Sequence, residues 1–469
     1  MKFIVPEIIK IIKDSDTAII REMRLLQLFI RIFTQALVIA LETIDKELTA
    51  EYTKQGYQIK RRDFRTIQGL LGTITFERRR VRKQGPRAKG FYPLDNQLGL
   101  RKYQRYTALY MKRVTEVAAT SVYRTTADVM NRLTLTTISH QTVGNIIKQV
   151  GRNYEKWEQQ EIDRAVLPTV EQRRPAMLCI EGDGLIIKGQ GEKRQEIHRV
   201  QVSEGREQHG WRSVLVHAHY FAGLNHKALI QQVTAYLQRE YDLAKLTVVS
   251  NSDGGSGYGK EIFESMVIGC RQHEHVLDRY HVNRKLKERL YFVEPALQDE
   301  IHKALREYKA DTMRVLLDTA ESQAATTEEA AHVEKLRKYI VRNWESLKPI
   351  TMRTPQVQPA GIGACESNHR LYSYRMKKQG RHWSKAGGTA MVKVITAIRN
   401  KELDNAFTIW EKGFTAPISR TFKGTMRRIM KKMPIQPHVG IHRGSIRNQG
   451  HVSSAIGKLS KSFSTPVFF

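Results

Sequence analysis

The sequence predicts an α/β protein: a mixed sheet with helices outside, preceded by helical and small β segments and interrupted by an all-helical block. Three observations predict it. Between residues 174 and 282, short apolar, β-branched runs alternate with helical stretches. On either side of that region apolar residues recur at steps of three and four. Near residue 76 a strand-like alternation, "TITFERRRVR", breaks the helical rhythm. A chain of 469 residues with 41% hydrophobic residues has room for two or three domains with a large core.

Residues 1–55 read as an N-terminal helical region, from Ile8, Ile9 and Ile12 and then Leu25, Leu26, Leu28, Phe29 and Ile32. Residues 56–103 read as a basic β segment whose strand turns at "KQGPRAKG". Seven Lys or Arg stand between Phe76 and Gly90 against one Glu. Arg78, Arg79, Arg80 and Arg82 can lie on a phosphate backbone; equally, they can keep an edge hairpin soluble. Residues 104–168 are helical. In "TTADVMNRLTLTTISHQTVGNIIKQV" a helix, a polar break and a second helix with Ser139 as N-cap fit a helix-turn-helix. Its second helix, about 139–150, offers His140, Gln141 and Lys148 to a major groove, although plain bundles show the same pattern.

Residues 174–282 carry the first part of the α/β core. "AMLCIEGDG" is a buried strand and "LIIKGQ" continues it after a turn; "WRSVLVHAHYFAG", "KLTVVSNSDGG" and "HEHVLDRYH" are further strands, with helices between the later ones. Residues 283–355 are a charged helical insertion, and 356–412 return as helices. The tail, 413–469, has ten Lys or Arg and no Asp or Glu, the composition of an electrostatic arm.

Charge narrows the function. Lys and Arg number 78 against 47 Asp and Glu, a net +31, which calls for a polyanionic partner, most simply double-stranded DNA. Cys179, Cys270 and Cys365 lie far apart, which excludes a disulfide framework and a CxxC zinc site and suits a reducing compartment. No uninterrupted apolar run reaches the length of a membrane span and no signal peptide is evident, so the expected place is the cytoplasm, on the nucleoid, with no membrane partner.

One stretch bears on chemistry. In "LTVVSNSDGGSGYGKE" a strand ends in Asp253, and four glycines precede Lys260. Gly254–Lys260 matches a phosphate-binding loop until Glu261, which stands where Ser or Thr would hold magnesium and would repel phosphates. The alternative is a metal-binding carboxylate. Asp183, in "CIEGDGLII", also lies on a strand, and both acids precede a glycine that leaves room for a substrate backbone. Carboxylates are hard ligands suited to Mg2+ or Mn2+, and two such ions serve phosphoryl transfer. The third carboxylate such a site needs is best supplied by Glu366 in "GIGACESNHR". Singly, each acid could be a turn or cap residue.

"EGDG", "SNSDGG", "LDRYH" and "ACESNHR", in that order with a helical block before the last, resemble the D-D-E transposases of bacterial insertion sequences, most closely the ISLre-type group, distant relatives of the Mutator-like transposases. The likeness covers about residues 60–410. It implies a ribonuclease-H-like fold interrupted by a helical insertion, with Asp183, Asp253 and Glu366 as catalytic residues holding two Mg2+ or Mn2+ ions. It also implies a (C/D)xxH signature at Asp278 and His281, with Asp where many relatives have Cys. His281 then meets a scissile phosphate or merely ties strand to helix. His273 and His275 are polar strand positions with no set to complete a zinc site. Arg370, Arg375, Lys377, Lys378 and Arg381 are candidate phosphate contacts. Trp383 stacks on a flipped base or anchors its helix in the core. The implied protein is a transposase, acting as a homo-oligomer, that cleaves element ends and joins the 3′-hydroxyl to target DNA. A non-catalytic DNA-binding protein and a nuclease or resolvase without strand transfer are the rivals.

Overall fold

The chain enters through two helices, α1 (Ile4–Lys13) and α2 (Ala18–Lys54), the second started by Thr17, whose hydroxyl accepts the Ile20 N–H at 3.2 Å. This computed structural model describes residues 4–86, 88–164, 171–191, 193–255, 257–354, 363, 368 and 370–408. Glu366 and the tail from 413 onward lie outside the described residues. By length and composition α2 can cross a membrane, although interspersed polar residues keep it from standing out as one apolar run; the expectation that no segment reaches that length is corrected here.

A hairpin follows, β1 (Tyr57–Gly69) with β2 (Gly72–Lys83), in register Gly69↔Gly72 through Arg61↔Arg80, with a shift before Ile59↔Val81. The reversal sits at Leu70–Leu71, with Gly72 at φ +102°, where a side chain would be strained. The basic strand was expected to turn back at 84–90. Its partner lies upstream instead, because "YQIKRRDFRTIQG" has too many charges to read as a strand by its own pattern. Leu41 of α2 packs with Ile67, Phe76 and Leu94 against the hairpin; Leu94 comes from α3 (Pro93–Gln97).

Three helices lead to the sheet: α4 (Ala108–Thr120), α5 (Tyr123–Leu133) and α6 (His140–Arg164). Ser139 caps the last, accepting the Thr142 N–H at 3.2 Å. The five-stranded sheet is built from β3 (Leu178–Lys188), β4 (Arg194–Ser203), then, after a small hairpin of β5 (Arg206–His209) and β6 (Arg212–Leu215), β7 (His219–Gly223), α7 (His226–Glu240), β8 (Thr247–Ser252), α8 (Lys260–Met266) and β9 (Gln272–Leu277). Its order is β7-β4-β3-β8-β9, antiparallel on one side of β3 and parallel on the other. The chain is thus a mixed α/β protein. β3 runs unbroken where a turn was expected after "EGDG", and "WRSVLVHAHYFAG" divides into β6 and β7.

The helical block is α9 (Arg279–Arg289), α10 (Pro295–Glu307), α11 (Ala310–Ser322), α12 (Thr327–Arg342), α13 (Trp344–Leu347) and α14 (Ile350–Arg353), with its own apolar cluster running from Leu277 to Leu347. Then come α15 (Arg370–Met376), α16 (Lys385–Arg399) and α17 (Asn405–Thr408). A single apolar cluster joins α4–α6, β3, β4, β7 and α15–α17, through Val143, Ile187, Ile197, Met391 and Phe407. The helices before the sheet and the sheet itself therefore share a core, across the boundary drawn at 168–174. α7 packs on β4 and β7, and α8 covers β3 on the same face, where a Cβ at Gly182 would stand 2.9 Å from Phe263; α6 and α16 cover the opposite face.

Candidate active site and its basic surroundings

Register places the acids. Glu181 of β3 pairs with Asn251 of β8, and Asn251 with Val276 of β9, in a parallel run of three strands. Two residues further along each strand come Asp183, Asp253 and Asp278. By this register the three aspartates fall in one row, although the β3–β8 ladder itself ends at Glu181↔Asn251: Asp183 lies within β3, and Asp253 and Asp278 stand one residue past the ends of β8 and β9. The Asp278 N–H donates to the Ser252 carbonyl at 2.8 Å, which fixes the last step of the row. Strand alternation turns Glu181 and Asp183 to one face, and their cross-strand partners Gln201 and Arg199 share it.

Each aspartate accepts one local N–H: Asp183 Oδ1 from Gly184 at 2.6 Å, Asp253 Oδ1 from Gly255 at 2.7 Å, and Asp278 Oδ1 from Tyr280 at 2.8 Å. For Asp278 this is the N-cap of α9, and the side chain is 8% exposed. His281 is the third residue of that helix. The glycines answer to packing. A Cβ at Gly184 would stand 2.1 Å from a Glu196 carboxylate oxygen, and Gly254 has φ +73° with Leu277 beside it.

Described residues that follow Glu366 in the chain meet this face. Asn368 Nδ2 donates to Gln201 Oε1 at 2.6 Å, and the Arg199 guanidinium lies 5.0 Å from the Tyr372 ring centroid on α15. Glu366 itself is outside the described residues, and among those residues no three His, Cys, Asp or Glu side chains form a metal-binding group. The chemistry of the donors suits a hard divalent ion: two carboxylates on adjacent strands at one level, which is what Mg2+ requires of a protein that leaves it several waters.

The helical block adds cations that the sequence did not single out. Lys285 of α9 stands over the Tyr339 ring of α12 at 4.1 Å. Burial pulls its amine below the usual value, and the nearby Asp253 carboxylate opposes the shift. Burial, helped by the same charge, pushes the Tyr339 hydroxyl up to about 12. Glu181 and Arg199, each at most 2% exposed on the Asp183 face, were also missed; the signal was the two-residue spacing in "EGDG".

A cavity of about 560 Å³ gathers residues expected separately: His140, Gln141 and Lys148 of α6 with Arg375, Arg381 and Trp383. It opens beside the end of β3, where the Trp383 N–H donates to the Lys188 carbonyl at 3.0 Å. Arg381 is exposed, as are Arg370, Lys377 and Lys378. Arg375 is not: its Nε donates to the Ala118 carbonyl at 2.9 Å, and the side chain is 2% exposed. Trp383 is a core residue whose Nε1 donates to the Met376 carbonyl at 2.9 Å, so it anchors rather than stacks on a base.

The basic hairpin needs a similar correction. Arg78 is buried in an ion pair with Asp95 and over the Tyr92 ring, and Arg79 pairs with buried Asp45 at 2.7 Å. Both are structural cations, closed to a phosphate backbone. Arg80 lies beside the Gly90 carbonyl, and Arg82 donates to the Gly85 carbonyl at 2.9 Å.

Fold and site together define a mixed α/β protein with an acidic row on a parallel strand edge and a basic cavity near it. Residues 18–412 match the uncharacterised protein family UPF0236, and the chain belongs to that family. It is 36% identical over 464 residues to the "UPF0236 protein in vanSb 3'region" of Streptococcus gallolyticus, covering 98% of this chain and 99% of that one. It is also 25% identical over 372 residues, 78% of this chain and 74% of the relative, to a UPF0236 protein of Caldanaerobacter subterraneus subsp. tengcongensis whose name joins eleven designations.

Proposed function

We propose that the chain is a D-D-E transposase with a ribonuclease-H-like core. The observation that carries this reading is the acid row, with Asp183 and Asp253 at one level on adjacent parallel strands. Four others support it. The sheet has three antiparallel strands followed by two parallel ones, β7-β4-β3-β8-β9, as a ribonuclease-H-like core requires. Asn368 binds Gln201 over the same face, and two residues of chain, at most about 7 Å, separate it from Glu366. A cavity bearing Lys148 and Arg381 lies roughly 20 Å along β3 from Asp183, within reach of one DNA duplex. Finally, one relative's name joins eleven designations from one organism, the pattern of a gene that copies itself around a genome.

Asp183, Asp253 and Glu366 would hold two divalent ions, Mg2+ or Mn2+. Bound there, such ions supply activation of an attacking oxygen and stabilisation of a leaving one. The residues of the chain do the rest. The Asp183 and Asp253 carboxylates each accept a local backbone N–H, from Gly184 and Gly255, which holds them in position when DNA arrives. Buried Arg199 and half-buried Lys285 place positive charge beside them, which offsets the accumulation of acids and favours a phosphate. Lys148 and Arg381 hold the duplex backbone away from the reacting bond.

The test uses the full chain and labelled duplex from the flanks of its own coding sequence, with and without Mg2+. Asp183→Asn and Asp253→Asn should each slow cleavage by roughly 1,000-fold or more, about 4 kcal/mol of barrier, while mobility-shift binding is kept. Cleavage that persists in either variant, or that needs no divalent ion in the wild type, overturns the proposal. Joined products with a supercoiled target distinguish a transposase from a nuclease or resolvase.

A further inference from the structure

α6 stands between two cavities, and from His140 to Arg152 it carries no acid. One is the cavity of about 560 Å³ described above, on the side of Gly144 and Lys148. The other, of about 420 Å³, lies on the side of Thr142, Ile146 and Gln149. Asn145 borders both. At about 100° of rotation per residue, Gln141, Asn145 and Arg152 follow one line along the helix, and all three are exposed. Val143, Ile147 and Val150 lie on the opposite side, in the core. The groove face expected from sequence, His140, Gln141 and Lys148, borders only the first cavity; the second was not foreseen.

The wall of that second cavity is the loop 101–105. Buried Arg65 donates to the Arg101 and Gln104 carbonyls at 2.7 and 2.8 Å, and the Arg105 carbonyl accepts the Gln68 N–H at 2.8 Å. These bonds tie the loop to the hairpin through its carbonyls and leave Lys102, Tyr103 and Arg105 exposed. Tyr103 has φ +65° at 79% exposure, a backbone that tyrosine adopts only where its surroundings hold it. Across α6, exposed Arg124 and Arg381 stand on the wall of the first cavity. Among the described residues neither lining includes Asp or Glu.

We propose that α6 is a major-groove reading helix, with Gln141 and Asn145 facing adenine edges and the phosphates of the two strands lying in the two cavities. This rests on duplex DNA as the ligand of the transposase reading, not on its chemistry. A helix with its side chains is about 10–12 Å across and the major groove about 12 Å wide, so a seated helix has one backbone on each flank. Here each flank is an acid-free trough with two exposed cations on its far wall, Arg124 and Arg381 on one side, Lys102 and Arg105 on the other. A carboxamide pairs with adenine twice, accepting from N6 and donating to N7. Gln141 and Asn145 are about 6 Å apart along the axis, near two base-pair steps. The major groove of duplex RNA is too deep and narrow to admit a helix, which selects DNA.

The experiment uses the full chain, freed of nucleic acid and without divalent ions, and enriches bound duplexes from a randomised pool. Wild type should select a site with fixed A·T pairs. Placing 7-deazaadenine, which lacks the N7 acceptor, at each adenine in turn should cost wild type about 10-fold or more in affinity at one or two positions. Asn145→Ala should bind the unmodified site about 10-fold more weakly and lose nothing further at one of those positions. Lys102→Ala/Arg105→Ala should instead weaken every duplex alike and lower the slope of log Kd against log salt by close to 2. All three residues are exposed, so folding is kept. A pool without a fixed A·T pair overturns the proposal, as does an Asn145→Ala chain with the wild-type response to 7-deazaadenine at every position, or a loop variant with the wild-type slope. Duplex RNA of the selected sequence bound as tightly as the DNA overturns it too. None of these readouts involves strand cleavage. A chain that reads adenine but never cuts keeps this inference and ends the transposase reading; one that cuts with no base preference does the reverse.

Discussion

Three imidazoles, one buried and two partly buried, tie the stability of this protein to pH. Ser250 Oγ lies 2.8 Å from His273 Nε2 and 2.9 Å from His275 Nδ1, one hydroxyl between two rings on β9. Burial, with neighbouring cations helping, lowers His273 to about 4 and His275 to about 3. Burial, with Arg239 and Arg173 nearby, lowers His219 to about 3. A histidine in the unfolded chain takes up its proton near pH 6.5, and these three refuse it while folded. Their contribution is complete above that pH and is lost as pH falls from about 6.5 toward 4, at about 1.4 kcal/mol per site per pH unit. Thermal melts from pH 8 down should therefore show a flat region and then a steep fall below pH 6.5. A melting temperature unchanged down to pH 5 contradicts the burial argument. At this scale the sequence was readable where chemistry is local. Asp183 and Asp253 stood out because a carboxylate beside glycine at a strand is unusual. Arg78, Arg79 and Arg375 were misjudged because their partners Asp95, Asp45 and Ala118 are distant in sequence, and an arginine in a basic run looks the same whether it faces water or a buried acid.

Helix packing decides how rigid the platform beneath the acids is. α6 crosses α16 at Gly151, where an added Cβ would stand 2.6 Å from the Ala390 backbone. Backbone cannot yield as a flexible side chain can, so Gly151→Ala must push the helices apart. The expected cost is roughly 1–3 kcal/mol, read as a lower urea midpoint with an unchanged slope. The loss should exceed that of Gly269→Ala, whose Cβ would meet nothing within 4 Å but whose φ of +89° still strains any side chain. An undiminished midpoint in Gly151→Ala means that α6 and α16 do not cross so closely. The same contrast explains which elements could be read from sequence. Helices such as α6, α12 and α16 repeat their apolar residues every turn, so a short window reveals them. β1 could not be read that way: its partner β2 and the apolar cover from α2 lie elsewhere in the chain, and its outer face is charged. The strand order of the sheet is likewise a long-range property that no window contains.

Over the whole molecule, the net charge of +31 makes a polyanion the partner of the proposed reading but does not say where it would sit. Folding spends some of those cations inside the protein: Arg79 is 9% exposed against Asp45, and Arg375 is 2% exposed under α4. Others remain at the surface around the cavity between α6 and the Arg381 segment. This separates two consequences of removing a positive charge. Each Lys or Arg that neutralises a DNA phosphate releases about one counterion, so its loss flattens the dependence of log Kd on log salt by close to one unit. Lys148→Ala/Arg381→Ala should lower that slope by about 2 and weaken binding to every duplex alike, with folding intact. Arg79→Ala should leave the slope where it is and cost stability instead, by roughly 3–5 kcal/mol, because Asp45 is then a buried carboxylate without its partner. Fluorescence anisotropy across a salt series and urea titration of the same proteins read the two effects independently. A double variant with the wild-type slope removes the cavity from the DNA path, and an Arg79→Ala chain that keeps full stability while losing slope returns the hairpin to it. The outcome depends on where the fold has placed each guanidinium, since both variants lower the net charge and differ only by one unit.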